Sequence, residues 1–326
     1  MARIALDAMG GDYAPHQIVL GGIDAAGSGV DVVLVGDEAV LTAELAAAGA
    51  SLPIVHAAEV IGMGEDPAAA LREKKDASVL VCARLVSDGE VAGMVSAGST
   101  GATMAAAAIG IGRIRGVSRP AIAAVYPIGI PTVVLDAGAN LEVSPEHLAQ
   151  FAVMGSVMAQ VYLGIDHPTV GLLNIGEEPS KGRDLEKAAH ALLADAPVRF
   201  VGNVEGRDLG AGVADVFVTD GFTGNVLIKA VEGVARGVGT AVLEALASDE
   251  DAQVQAAASA VLPKIMRLRE RFDPEAHGGA HLLGVKGTVV IAHGASSRVA
   301  IANALRVAAD GADRGLVARI EAGIGG

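Results

Sequence analysis

One local pattern recurs along this chain and limits what it can become. A short run of Val, Ile or Leu is followed by a turn of Gly with Asp, Asn, Ser or Thr, and then by an apolar pattern of helical period. Continuous apolar runs such as Val32-Val33-Leu34-Val35 suit a parallel strand covered on both faces. Their alternation with helices points to an α/β fold. The pattern is clearest in residues 215–229. Val216, Phe217 and Val218 predict a buried strand. Residues 219–225 predict a turn, and Val226, Ile228, Ala230, Val231 and Val234 a helix. A strand end that feeds a helix start has unpaired N–H groups and a positive helix end, which suit an anion. An ordinary capped turn has the same look.

The same reading gives strands at residues 4–6, 31–35, 53–56, 91–95, 132–135, 170–173, 199–201 and 289–292. Helices are expected at 17–26, 39–48, from Pro67, at 104–109, from Pro145 to about 163, around 184–187, from Lys229 to about 246 and after residue 297. Polar turns close the strands at 7–12, 96–103, 136–140, 174–182, 202–208 and 293–297. If several of these sit at carboxyl ends of parallel strands, they can flank one crevice. The glycine-rich run 110–116 follows a helix rather than a strand, so it is a poor dinucleotide fingerprint.

The chain has 326 residues, 52% of them hydrophobic, enough for a sizeable core in one large domain spanning 1–326. Aromatics are only 2%, so Ala, Val, Leu and Ile build that core. A net charge of −14 argues against a nucleic-acid partner. The single cysteine, Cys82, lies in an apolar run and reads as a buried structural thiol in a reducing cytoplasm. The first residues do not read as a signal peptide, and no apolar stretch reaches about 18 residues.

Residues 248–273 differ in kind. An Ala-rich apolar piece precedes Pro263, and Lys264, Arg267, Arg269 and Arg271 follow it. Pro is tolerated in the first turn of a helix but not inside one. The expectation is a protruding helical hairpin that turns at Pro263, with Val261 and Leu262 at its tip. The apolar tip suits shallow insertion into a bilayer. The basic residues suit anionic headgroups or an acidic protein, and a merely solvated face is the plain alternative.

The turns, taken in order, carry a resemblance. Asp-Ala-Met-Gly-Gly-Asp at 7–12, Ser-Ala-Gly-Ser-Thr-Gly-Ala at 96–102 and Asp-Ala-Gly-Ala-Asn at 136–140 come first. Then come Leu-Asn-Ile-Gly-Glu-Glu with Lys181-Gly182, Gly-Asn-Val-Glu-Gly-Arg-Asp at 202–208 and Thr-Asp-Gly-Phe-Thr-Gly-Asn at 219–225. Leu-Leu-Gly-Val-Lys-Gly at 282–287 and Ala-His-Gly-Ala-Ser at 292–296 complete the set. Together they resemble the PlsX family of phosphate acyltransferases of bacterial phospholipid synthesis. Ser99, His281 and Ala295 depart from the family pattern.

The resemblance implies transfer of a long-chain fatty acyl group from acyl carrier protein to inorganic phosphate, with no cofactor and no metal. It implies a homodimer with a three-layer α/β/α fold, a mostly parallel sheet similar to isocitrate and isopropylmalate dehydrogenases and to phosphotransacetylase. It also implies peripheral membrane association in the cytoplasm, where a glycerol-3-phosphate acyltransferase takes the product. Phosphate is already an anionic nucleophile, so positioning and donor groups carry most of the chemistry. Ser99, Thr100, Gly101, Thr223 and Gly224 are the expected phosphate contacts, with Asn225 beside them. Lys181 is the choice for charge compensation or oxyanion stabilisation. His293 is a donor to the oxyanion or the thiolate. Asp7, Asp12, Asp136, Asn140 and Asp220 are expected to orient loops, because bare carboxylates repel phosphate. A β-decarboxylating dehydrogenase on a similar fold and a non-enzymatic membrane scaffold are the rival readings.

Overall fold

The computed structural model describes residues 1–127, 129–247, 251–271 and 278–325. Eleven strands form one sheet among these residues, in the order β3-β2-β1-β4-β11-β10-β5-β6-β9-β7-β8. The strands are β1 (Arg3–Asp7), β2 (Asp31–Gly36), β3 (Ile54–His56), β4 (Gly93–Ser96), β5 (Ala121–Tyr126), β6 (Thr132–Leu135), β7 (Thr169–Asn174), β8 (Arg199–Glu205), β9 (Val216–Val218), β10 (Ala280–Leu283) and β11 (Thr288–Ile291). Neighbours are parallel except where β10 meets β11, β10 meets β5, and β5 meets β6. The sheet is therefore two parallel halves of opposite direction, joined by β10 and β5. Neither joining strand was anticipated from sequence. The segment 278–287 is rich in glycine, and 121–126 is rich in alanine.

Helices cover both faces, which gives the three-layer α/β/α arrangement. On one face lie α1 (His16–Gly27), α2 (Glu38–Ala47), α6 (Pro145–Tyr162), α7 (Asp184–Ala194), α10 (Arg298–Asp313) and α11 (Leu316–Gly325). The alternation of strand side chains directs Ile4, Leu6, Val32 and Leu34 into this layer, and in the other half Leu135, Val170, Leu172 and Val216. On the opposite face α3 (Pro67–Glu73), α4 (Ser78–Ser87) and α5 (Thr100–Ala106) cover the β1–β4 side. The long helix α8 (Gly221–Ala247) covers the β6–β9 side. Between these two groups a cleft opens along part of β11, β10 and β5. Cys82 lies fully buried in α4, and burial pushes its thiol well up.

Two boundaries differ from the sequence reading. Helix α8 begins at Gly221 rather than Val226, so Thr223, Gly224 and Asn225 lie in its first turns. The hairpin does not turn at Pro263. Helix α9 (Ala252–Arg271) runs through that proline. An interior proline removes one backbone hydrogen bond but does not by itself end a helix. Val261 and Leu262 are exposed mid-helix positions, not a tip. Helix α9 packs chiefly on α8, so it stands away from the sheet. The side chains of Arg269 and Arg271, and residues 272 and 273, lie outside the described set.

His281 of β10 is fully buried, and neither ring nitrogen has a hydrogen-bond partner. Its ring lies 4.9 Å from that of Tyr162 in α6. Tyr162 is engaged elsewhere, donating to the Val307 carbonyl at 3.0 Å, while the Asp310 and Arg314 side chains bond each other at 2.7 Å. Burial pushes the imidazole down to about 4. The unfolded chain therefore binds a proton between pH 6.5 and 4 that the folded chain does not, and stability falls as pH drops through that window. The loss reaches about 3 kcal/mol at most. Thermal melts of the wild type and His281→Phe at pH 7 and pH 4.5 check this. The wild type should lose more of its midpoint on acidification than the variant.

Candidate active site

One buried carboxylate shapes the loop at the carboxyl end of β6, and the Asp136 amide ties that end to β9 by donating to the Thr219 carbonyl. Asp136 accepts from the amides of Gly138, Ala139 and Asn140 at 2.9, 2.8 and 2.8 Å. It also accepts from the Asn140 side chain at 2.7 Å and the Ile122 amide at 3.3 Å. Burial raises its pKa, and the amides and the Asn140 side chain pull the other way. The loop it shapes lies directly on the start of α8. The Gly221 amide donates to the Asn140 carbonyl at 2.8 Å, and a Cβ on Gly224 would stand 1.9 Å from the Asp136 carbonyl oxygen. Gly221 and Gly224 are thus glycines because backbone meets backbone there.

Asp220 caps α8. Its carboxylate accepts from the Thr223 amide at 2.7 Å and the Thr223 hydroxyl at 3.0 Å. Its carbonyl accepts from the Gly224 amide. The start of this helix is already answered by a carboxylate and two carbonyls, and Thr223 and Gly224 are spent within it. Asn225 is different: it lines the cleft, and its side-chain amide has no hydrogen-bond partner among the described residues.

Arg183, at the cap of α7, joins a third turn to this pair. Its guanidinium bonds Glu186 and lies 2.5 Å from Asp220. Both carboxylates are buried, and burial raises their pKa values. Thr223 and Arg183 donation to Asp220, and Arg183 donation to Glu186, outweigh that and leave both lowered. Lys181 sits two residues away. Its ammonium is half exposed, lies 3.9 Å from Glu178 and does not line the cleft. The Asn174 and Asn203 side-chain amides pin this loop by donating to the carbonyls of Lys181 and Glu178.

On the other side of the cleft, buried Asp7 accepts from the Ser96 hydroxyl at 2.7 Å, and that hydroxyl accepts from the Gly98 amide at 3.1 Å. Burial pushes Asp7 up. Ser99 caps α5 without a side-chain bond, Thr100 is exposed and lines the cleft, and Gly101 packs against Pro67. The Asp12 amide donates to the Gly294 carbonyl at 2.7 Å, tying 7–12 to 293–296. His293 Nδ1 accepts from the Ala295 amide at 3.2 Å. In the neutral ring the proton then sits on Nε2, which makes Nε2–H a donor.

The cleft encloses about 800 Å³. One end is polar, with Asp12, Gly98, Thr100, Asn225, His293 and Ser296. The other is largely apolar, with Ile122, Ala124 and Tyr126 from β5 and Ile228 and Ala235 from α8. Lys229, Glu232 and Arg236 stand along its edge, and Lys229 bonds Glu232 at 2.9 Å. The Tyr126 hydroxyl donates to the Ile228 carbonyl at 3.3 Å, and burial, with the Glu232 charge, pushes it up to about 12. The sequence reading gave no role to Tyr126, Ala124, Glu232, Arg236 or Arg183. The first two lie in 121–126, an apolar run whose alanines weaken its strand signal. Among the expected residues, Asp12, Thr100, Asn225 and His293 meet in the cleft. Asp7, Asp136, Asn140 and Asp220 lie behind it. Ser99, Gly101, Thr223, Gly224 and Lys181 are not in its lining. Val261, Leu262, Lys264 and Arg267 lie on α9, outside it.

This is the architecture of solved phosphotransacylases. A phosphotransacetylase from Streptococcus pyogenes superposes with a TM-score of 0.62 at 18% identity, covering 96% of this chain and 94% of that one. The EutD phosphotransacetylase from Staphylococcus aureus gives 0.60 at 18%, over 95% and 94%. A 4-hydroxythreonine-4-phosphate dehydrogenase from Burkholderia phymatum shares the fold more distantly, with a TM-score of 0.54 at 13% identity, over 95% and 98%. Sequence goes further than fold. The family model described as fatty acid synthesis protein matches residues 2–319. The phosphate acyltransferase of Heliobacterium modesticaldum is 48% identical over 99% of this chain and 98% of its own length. That of Pelotomaculum thermopropionicum is 48% identical over 99% and 95%. The chain belongs to this family and is an acyltransferase.

Removing the Arg183 guanidinium leaves two buried carboxylates unpaired. Arg183→Ala should cost about 1–3 kcal/mol at pH 7, between exposed and buried ion-pair values. Both carboxylates have lowered pKa values, so this stability is present above their unfolded values and is lost as pH falls through the folded ones. Urea denaturation should show the gap between wild type and variant at pH 7 and its narrowing in acid.

Proposed function

We propose that the protein transfers a long-chain fatty acyl group from acyl carrier protein to inorganic phosphate, giving an acyl phosphate for phospholipid synthesis. The observation that carries this reading is the cleft itself, which sets a polar, donor-rich end against a long apolar wall. Membership in a family of phosphate acyltransferases supports phosphate as the acceptor.

Phosphate is held at the polar end by Thr100, Ser296 and Asn225, beside the Gly98–Thr100 turn. A phosphate oxygen attacks the thioester carbonyl carbon. The C–O bond forms, the C–S bond breaks, and the phosphate proton ends on the departing thiol. Positioning and preorganised donors supply the rate. The His293 Nε2–H donates to the carbonyl oxygen as it gains charge or to the leaving sulfur. Asp7, Asp136, Asn140 and Asp220 hold the turns in place. Asp12 fixes the 293–296 loop through its backbone amide. Lys181, on the loop fastened to α8 through Arg183, compensates charge when the loop meets the substrates.

The purified protein, given acyl carrier protein thioester and phosphate, should yield an acyl phosphate trapped by hydroxylamine. His293→Ala and Lys181→Ala should each lower kcat by at least about tenfold, the lower range for a positioned donor. Near-wild-type turnover for either variant removes that residue from the mechanism.

The hairpin supports a second element of the reading, peripheral contact with an anionic membrane. None of the described helices is long and apolar enough to cross one. Helix α9 exposes Val261, Leu262 and Met266 beside Lys264 and Arg267. Apolar contact plus cationic attraction is how a helix lies on anionic lipid. Delivering an acyl phosphate there would serve a membrane glycerol-3-phosphate acyltransferase. The apolar stripe of α8, Phe222, Val226, Val234, Val238 and Val242, repeats at intervals of four or eight residues and supports a homodimer. In flotation with vesicles containing anionic lipid, the Val261→Asp/Leu262→Asp variant should stay at the bottom of the gradient. Flotation equal to wild type would rule this face out.

A further inference from the structure

The polar chemistry leaves the β5–α8 wall of the cleft without a task. We propose that this wall is the acyl-chain subsite and that Ala124 and Ala235 set the chain length it accepts. The proposal rests on the acyl-transfer reading above.

Side chains alternate along a strand, so Ile122, Ala124 and Tyr126 of β5 share the face that floors the cleft. On α8 the cleft is met by Asn225, Ile228, Lys229, Glu232, Ala235 and Arg236, a single helical face. Asn225 stands at the polar end of this row and Ala235 near the far end. The row from 225 to 236 spans about 16 Å at 1.5 Å per residue. The floor from 122 to 126 spans about 13 Å at ~3.3 Å per residue. A zigzag chain of ~1.5 Å C–C bonds advances about 1.25 Å per methylene, so the floor takes roughly ten carbons.

The wall is apolar below and charged above. Lys229, Glu232 and Arg236 form the edge, with the Lys229 side chain more than half exposed. A lipid tail thus has the floor, while the polar arm of a thioester donor stays at the charged edge. The hydroxyl of Tyr126 on the Ile228 carbonyl joins the two walls and fixes the ring at the distal end of the floor. On the floor face between Ile122 and Tyr126, and among the apolar lining residues of α8 beyond Ile228, the side chains are the methyl groups of Ala124 and Ala235. Branched side chains there would fill the space a chain needs.

Ala235→Leu and Ala124→Leu should be compared with wild type using butanoyl, decanoyl and hexadecanoyl thioesters, with acyl phosphate trapped by hydroxylamine. The ratio of decanoyl to butanoyl kcat/KM should fall about tenfold in each variant, the effect of displacing roughly two buried methylenes. The KM for phosphate should not move. Ala235 is half-buried on a helix that readily takes Leu, so that variant carries the test if Ala124→Leu folds poorly in a thermal melt. An unchanged ratio, or an equal loss at every length, overturns the subsite. A wild-type protein that makes no acyl phosphate from any donor overturns instead the acyl-transfer reading on which the subsite rests.

Discussion

The Asp136 carboxylate is the interaction on which the rest of the site depends. It is fully buried and accepts five N–H groups, four of them from the loop it shapes. A buried charge or polar group is tolerated only when its partners are present, and here they are all donors. That loop gives α8 a flat backbone surface to start on. Gly221 and Gly224 let the helix approach until backbone touches backbone. The direction of α8 then fixes where Asn225, Ile228 and Ala235 stand over the sheet. A polar knot at the end of β6 and β9 thus decides the shape of an apolar groove that runs well beyond it.

The placement of charge follows the same economy of donors. A helix start attracts anions, and α8 meets that need with its own Asp220, which Arg183 in turn neutralises in part. The open donors lie one turn further on, at Asn225, and across the cleft at Thr100, Ser296 and the imidazole Nε2–H of His293. They come from the ends of three strands, β9, β4 and β11. Residues from both halves of the sheet, on either side of β10 and β5, line this one opening.

Much of this was legible in sequence, for identifiable reasons. The strands 132–135 and 216–218 carry the bounds expected of them, since continuous Val, Leu and Phe runs between polar turns have few other uses. The α/β class follows from the same alternation, and the three-layer arrangement from the family resemblance. What escaped was the pair of antiparallel strands. Ala121-Ile122-Ala123-Ala124-Val125-Tyr126 is too rich in alanine to announce a strand, and 280–283 is hidden among glycines. With them went the cleft floor, including Tyr126. Arg183 and Asp220 stand 37 residues apart, a contact that no local pattern encodes. Pro263 misled in the opposite way, because a proline that usually marks a helix start here lies inside α9. The glycines of 219–225 look like ligand contacts in sequence, yet Gly224 faces the Asp136 carbonyl.

A cleft with a polar end and an apolar wall has a kinetic consequence. Phosphate and the thioester must occupy it together, and no enzyme nucleophile is required between them. Initial velocities measured while both substrates are varied test this most directly. The account predicts double-reciprocal lines that intersect, the pattern of a complex holding both substrates. Parallel lines, the mark of a covalent acyl-enzyme released and reloaded in turn, would contradict it.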